Sequence, residues 1–263
     1  MSELSPISRP PDHPSVSLEV LDGPVGLLTL RDVERRNALR IELSLDLELA
    51  VNGALAAGSR ALILTSAPPV FCSGGDLDDL VSPRASLTEI SRGATALASA
   101  PVPTIAVVDG AVIGAGITLV LACDVILCTP RAIFDPRLLD LGVHPGGGQL
   151  RGLSLRIGRQ GAAALSLLGD RLTGLEAAEV GLAWRCVPSD EVLDLAMRFA
   201  QRVASRPPEA ITRAKRTLDE TLDVDHLSAA AIELEHQQWS IEQPWISERV
   251  ADLRQRLAER SKD

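Results

Sequence analysis

Apolar residues fall first in short dense runs and later at helical spacing. The stretches Ser15 to Val20 and Val25 to Leu30 flank Leu21-Asp22-Gly23-Pro24 and predict a β-hairpin. Further strand-like runs are Ala61 to Ser66, Pro103 to Val108, Asp124 to Thr129, Ala132 to Phe134 and Ala183 to Val187. Helical spacing predicts helices over Ile41 to Ala57, stopping near Gly58, and over Leu77 to Leu80. A mobile loop over Ser82 to Ser86 precedes a helix that runs through Ala98. Helices follow over Ile117 to Cys123, from Pro145-Gly146-Gly147-Gly148 to Ile157, over Arg159 to Leu168 and over Leu175 to Val180. From Asp190 the pattern is helical, with breaks at Arg206-Pro207-Pro208 and Gln243-Pro244. Strands alternating with helices make this an α/β fold, and the helix-only last third is a separate layer. The expected division is a proline-rich disordered tail over 1–14, a core over 15–200 and a helical region over 201–263.

Two strand-like runs lead into glycine turns. Ala61 to Ser66 is followed by Phe71-Cys72-Ser73-Gly74-Gly75-Asp76, and Pro103 to Val108 by Asp109-Gly110-Ala111-Val112-Ile113-Gly114-Ala115-Gly116. A strand that turns through glycines into a helix start leaves backbone N–H groups unpaired and pointing outward. Two such turns together suggest a pair of donors converging on one developing oxyanion.

Composition narrows the chemistry. Among 263 residues the aromatic share is 2% and tyrosine is absent, which argues against a stacking platform for single-stranded nucleic acid. A net charge of −9 argues against binding a phosphate backbone. Cys72, Cys123, Cys128 and Cys186 have no Cys-x-x-Cys spacing and read as buried free thiols of a reducing compartment. His13, His144, His226 and His236 lack zinc-site spacing, so no metal is expected. With no signal-like N-terminus and no membrane-spanning apolar stretch, the expected location is cytoplasmic. Leu119 stands where a dinucleotide fingerprint needs its third glycine, and neither a P-loop nor a Gly-x-Ser-x-Gly elbow is present.

Taken in order, Arg36-Asn37-Ala38-Leu39, Phe71 to Leu77, Asp109 to Gly116 with Ala122-Cys123-Asp124, Leu141 to Gly147 and Gly174 to Leu182 resemble the crotonase, or enoyl-CoA hydratase/isomerase, superfamily. The resemblance runs from about residue 15 to the C-terminus. It implies a spiral of β-β-α turns and a C-terminal helical region that builds homotrimers, usually paired into hexamers. The ligand it implies is an acyl-CoA, with coenzyme A part of the substrate and no separate cofactor. The thioester carbonyl would sit between the backbone N–H groups of Gly75 and Ala115. Arg36, Ser73, Gly74 and Asp76 become CoA-contact candidates, although Arg35 and Arg36 read equally as a solvated pair. Arg256 becomes a candidate for a neighbouring subunit's ligand, or simply part of a basic helix.

Family members that hydrate a double bond carry two glutamates for this work. Aligned on Gly114-Ala115-Gly116 and on Phe134 to Gly142, those positions hold Thr118 and Leu138, neither of which ionises. General acid–base groups contribute roughly 10²–10⁴ each, so hydration is expected to be largely lost. Some crotonase-like isomerases carry a carboxylate two positions later, where Asp140 stands; a salt bridge or helix cap is its alternative role. His144 is a residue type suited to proton transfer, and it also suits a cap at the Gly146 turn. Thr118 can orient a water or bond a helix carbonyl. Three functions stay open: a thioester enzyme with an atypical acid–base set, a hydratase with substitute residues, and a non-catalytic acyl-CoA-binding oligomer.

Overall fold

The computed structural model describes residues 14–260, so all but the last residue of the tail expected over 1–14 lies outside them. Two compact units divide after Ala204. The first begins with the expected hairpin, β1 (Val16–Leu21) and β2 (Val25–Leu30), then α1 (Ile41–Ala56) and β3 (Ala61–Ser66). A short strand β4 (Val70–Cys72) leads to α2 (Leu77–Val81), α3 (Leu87–Ile90) and α4 (Arg92–Ala98). The same pairing of a long strand with a short one recurs in β5 (Thr104–Val108) and β6 (Ala111–Ile113) before α5 (Gly116–Leu121). It appears again in β7 (Val125–Cys128) and β8 (Ile133–Asp135), before α6 (Gln149–Leu167). Then come β9 (Leu172–Thr173), α7 (Gly174–Glu179), β10 (Arg185–Cys186) and α8 (Val192–Ala204).

The strands form two sheets. One runs β1-β2-β3-β5-β7-β10, parallel throughout except for the opening hairpin, and the other runs β4-β6-β8-β9. This corrects the sequence reading in one respect that matters for the site. The glycine turns do not close β3 and β5; they close the short strands β4 and β6, which pair in parallel in the second sheet.

The central strands β2, β3, β5 and β7 of the first sheet are buried on both faces, as their apolar runs require. Alternation assigns each residue a side. Leu62 and Leu64 face the main core with Leu43, Leu47 and Val51 of α1, whereas Ala61 and Ile63 face Val192, Leu195, Ala196 and Ala200 of α8. Phe71 and Phe134, two of the three phenylalanines, are fully buried in the second sheet. The two helices expected between Pro145 and Leu168 form one element broken at Gly158, whose φ of 70° and ψ of 170° no helix accommodates.

The second unit comprises α9 (Pro208–Glu220), α10 (His226–Ile241) and α11 (Trp245–Arg260). Trp239 and Trp245 meet edge to face with centroids 5.8 Å apart, and the Arg213 guanidinium lies 3.9 Å from the Trp239 ring. The break between α9 and α10 at Asp225, whose side chain caps α10, was not anticipated from the periodicity. No helix among the described residues is long and apolar enough to cross a membrane.

Candidate active site

Parallel neighbours end at the same edge of a sheet, so pairing β4 with β6 brings the Gly74-Gly75 and Gly114-Ala115 turns side by side. The approach is too close for a side chain: a Cβ on Gly74 would lie 2.9 Å from the Ile113 carbonyl oxygen and 3.7 Å from the Ala115 nitrogen. Gly74 also holds φ at +96°, a left-handed conformation that favours glycine. Below the turns, a Cβ on Gly116 would meet the Cys72 sulfur at 2.9 Å.

A third segment completes the junction. Arg36 and Asn37 both have φ of 53°, and this bend lets Leu39 N–H donate to Gly74 O at 2.7 Å and Ser73 N–H donate to Arg36 O at 3.0 Å. Asn37, fully buried, donates through Nδ2 to Val70 O at 2.9 Å. Among the described residues, neither Gly75 N–H nor Ala115 N–H has an acceptor. Both residues are half-buried and line a cavity, so two donors left unpaired at adjoining turns offer a place for an outside acceptor.

These turns open on a cavity of about 1230 Å³. It collects Arg36, Ser73, Gly74, Gly75, Asp76, Ala115, Thr118, Asp140 and His144, which are nine of the ten site candidates named from sequence. Arg256 stands on α11 of the second unit, where it pairs with Asp252 at 2.6 Å. Leu138 is half-buried over the Gly114 turn, where a Cβ on Gly114 would lie 3.5 Å from its Cδ2. Asp140 lies in a 3-10 turn over Leu138–Leu141 that Arg137 precedes, so it does not cap a helix. Its carboxylate makes no hydrogen bond or ion pair among the described residues, and Arg137 acts on it only through its field. His144 is exposed at the cavity wall. Burial pushes the Cys72 thiol up to about 11, which makes it a packing group and not a nucleophile.

Asp76 plays a structural part. One oxygen caps α2 by accepting from Asp78 N–H at 2.9 Å and Asp79 N–H at 3.3 Å, and the other pairs with Arg40 at 3.1 Å. Asp124 is structural as well, bonded to Thr104 through backbone and hydroxyl.

Sequence reasoning missed the apolar wall of Leu77, Leu80, Leu87, Ile90 and Ala94. Leu77 and Leu87 are 65% and 78% exposed, a surplus of open apolar surface that only the structure shows. The segment expected to be a mobile loop is pinned. Arg84 Nε donates to Asp79 at 2.6 Å, and its Nη1 donates to Glu42 at 2.7 Å. A Ser86–Glu89 capping box then starts α3.

The Arg84 guanidinium beside Asp79 holds its carboxyl below the usual carboxylate range. Burial, the largest single influence, would raise Glu42, but the Arg84 hydrogen bond, a backbone hydrogen bond and the charges of Arg40 and Arg84 together outweigh it, and Glu42 is held low too. Carboxyls depressed in the folded state add stability above their unfolded pKa and lose it as pH falls through the folded one. Arg84→Ala should therefore speed amide exchange across residues 77–91 about tenfold at pH 7. The gap to wild type should narrow as pH falls from the ordinary carboxylate range of about 4 downward and both carboxyls protonate. A gap independent of pH would contradict this reading of the clamp.

Comparison with known proteins agrees with the geometry. The enoyl-CoA hydratase/isomerase family model matches residues 22–251. "Probable enoyl-CoA hydratase EchA14" of Mycobacterium tuberculosis is 35% identical over 250 residues, covering 90% of this chain and 96% of that protein. The 2,3-dehydroadipyl-CoA hydratase of Escherichia coli K12 is 31% identical over 202 residues, covering 75% and 79%. Among solved structures, an enoyl-CoA hydratase from Polaromonas sp. JS666 superposes with a TM-score of 0.85 at 27% identity, covering 92% of this chain and 97% of that one. The family that the resemblance pointed to is the one these matches show: the chain has its α/β fold and belongs to the enoyl-CoA hydratase/isomerase family.

Proposed function

We propose that the protein is an acyl-CoA enzyme that holds a thioester carbonyl oxygen between Gly75 N–H and Ala115 N–H and stabilises the enolate formed there. The single observation that carries this is the pair of unpartnered donors on the turns that close two adjacent parallel strands, bordering one cavity. Negative charge on a thioester oxygen needs fixed donors, and backbone groups held by a sheet need no reorganisation when the charge appears. The names of the relatives, hydratases of CoA thioesters, support the same ligand class.

Asp140 is the proposed base. Of the cavity's four carboxylates, Asp76 and Asp79 are committed to a helix cap and to arginines, while Asp78 and Asp140 have no side-chain partner among the described residues; Asp140 is preferred because it shares a 3-10 turn with Leu138, which lies over the Gly114 turn. Thr118 and His144 complete the polar wall. Arg36, exposed at the mouth, is proposed to meet CoA phosphate, and Ser73 and Gly74 the pantetheine arm. The apolar wall from Leu77 to Ala94 suits a hydrocarbon acyl group. With Thr118 and Leu138 in the glutamate positions, one base that takes a proton from one carbon and returns it to another, an isomerisation, fits better than addition of water. The exposed leucines of α9 to α11, among them Leu218, Leu227 and Leu234, suit the homotrimeric or hexameric assembly that the resemblance implied.

Profiling 2-enoyl-, 3-enoyl-, dienoyl- and malonyl-type thioesters tests the reading. Isomerisation is expected, with crotonyl-CoA hydration at background. Asp140→Asn should lower turnover by about 10²–10⁴ while leaving acyl-CoA affinity within a few-fold. Efficient hydration of crotonyl-CoA, unaffected by Asp140→Asn, would favour a hydratase with other groups. Tight binding without turnover of any thioester would favour a non-catalytic acyl-CoA-binding protein.

A further inference from the structure

Gln149 is almost wholly inaccessible at 1% exposure, although it opens α6 directly beside the cavity. Its Nε2 donates to the carbonyl oxygen of Gly114 at 3.4 Å, and its Oε1 is buried with no hydrogen-bond partner among the described residues. A buried amide that uses only one of its two ends is costly to keep. The bond it does make falls on a particular peptide, because the Gly114 carbonyl and the Ala115 N–H belong to the same planar unit. Whatever fixes or polarises the oxygen at one end fixes and polarises the hydrogen at the other.

The same carbonyl takes a second bond, and the peptide unit before it is held as well. Gly114 N–H donates to Asp135 O at 2.8 Å, Ile117 N–H donates to Gly114 O at 3.2 Å, and Gly114 holds φ at +51°. Gln149 is carried in by the Gly146 to Gly148 turn. Gly147 is pressed so close to Thr118 that a Cβ there would lie 2.9 Å from its methyl carbon.

We propose that Gln149 is a positioning residue for the oxyanion site. It completes a chain from its own amide N–H, through the Gly114–Ala115 peptide, to the thioester oxygen. Hydrogen bonds in such a chain strengthen one another, so the long Gln149 contact tightens as negative charge builds on the thioester. The inference rests on the acyl-CoA reading above and deepens it.

The test uses trans-2-hexenoyl-CoA carrying ¹³C at the thioester carbonyl, read by difference infrared spectroscopy on the full-length protein. Wild type should lower the carbonyl frequency on binding. Gln149→Met, which keeps the length but not the donor, should roughly halve that shift while the probe's Kd stays within about threefold. Turnover of whichever thioester is accepted should fall about tenfold in kcat, with KM little changed. Gln149→Glu should show the shift at low pH, where a protonated carboxyl can donate, and lose it on ionisation; wild type should be flat across the same range. A Gln149→Met protein, folded by circular dichroism, that keeps the wild-type shift overturns this inference alone, as does a pH-flat Gln149→Glu if the Met variant fails to fold. Wild type binding the probe with no carbonyl shift overturns the acyl-CoA reading and this inference with it.

Discussion

Ala115→Pro should lower kcat by about 10²–10³ and leave the fold nearly untouched. The substitution removes one N–H group and little else. Ala115 already sits at φ −63° and ψ −20°, which a proline ring adopts without strain, and it stands immediately before α5, where proline is well tolerated. Gly114 precedes it, and a glycine best absorbs the restriction that proline places on its predecessor. Because Ala115 N–H has no acceptor among the described residues, no internal hydrogen bond is broken. The loss should therefore appear in the chemical step with KM changed far less, read by steady-state kinetics on an accepted thioester. A variant that is folded and fully active would remove Ala115 from the site.

The largest loss of stability is expected from Phe134→Ala, about 3–5 kcal/mol. Phe134 is fully buried on β8, opposite Val112 of β6 and Leu172 of β9, so truncation opens a cavity in the middle of the second sheet. At about 2–4 °C per kcal/mol for a chain of this size, the melting temperature should fall by roughly 6–20 °C. Activity should suffer even well below that temperature, since Asp135, the next residue, holds Gly114 through its carbonyl. A thermal scan showing a drop of only a degree or two would mean that the sheet collapses around the missing ring.

Long periodic elements were legible in the sequence, and short ones were not. The hairpin, α1 and the α8 to α11 region announce themselves through alternation, helical spacing and proline breaks. The strands β4 and β6, three residues each, are too short to show a period, and β9 and β10 are shorter still. They exist because their neighbours supply the ladder, which is information carried by tertiary pairing and not by local spacing. The glycine turns were visible because close backbone approach leaves few other residues possible. The wall from Leu77 to Ala94 and the buried Gln149 were not, since a leucine or glutamine on a helix looks the same whether it lines a cavity or faces solvent. Asp76 shows the converse: an acidic residue inside a motif suggested ligand contact, and its oxygens turned out to be engaged with a helix start and an arginine.

The pairing of β4 with β6 also decides which losses of function would be noticed. An alanine scan would pass in silence over both donors. Ala115 is alanine already, and around Gly75 a methyl group meets nothing within 4 Å. Side-chain exchange at positions 118 and 138 likewise removes neither N–H group, because both belong to the backbone, so acid–base chemistry can be altered by mutation without deleting the proposed donors.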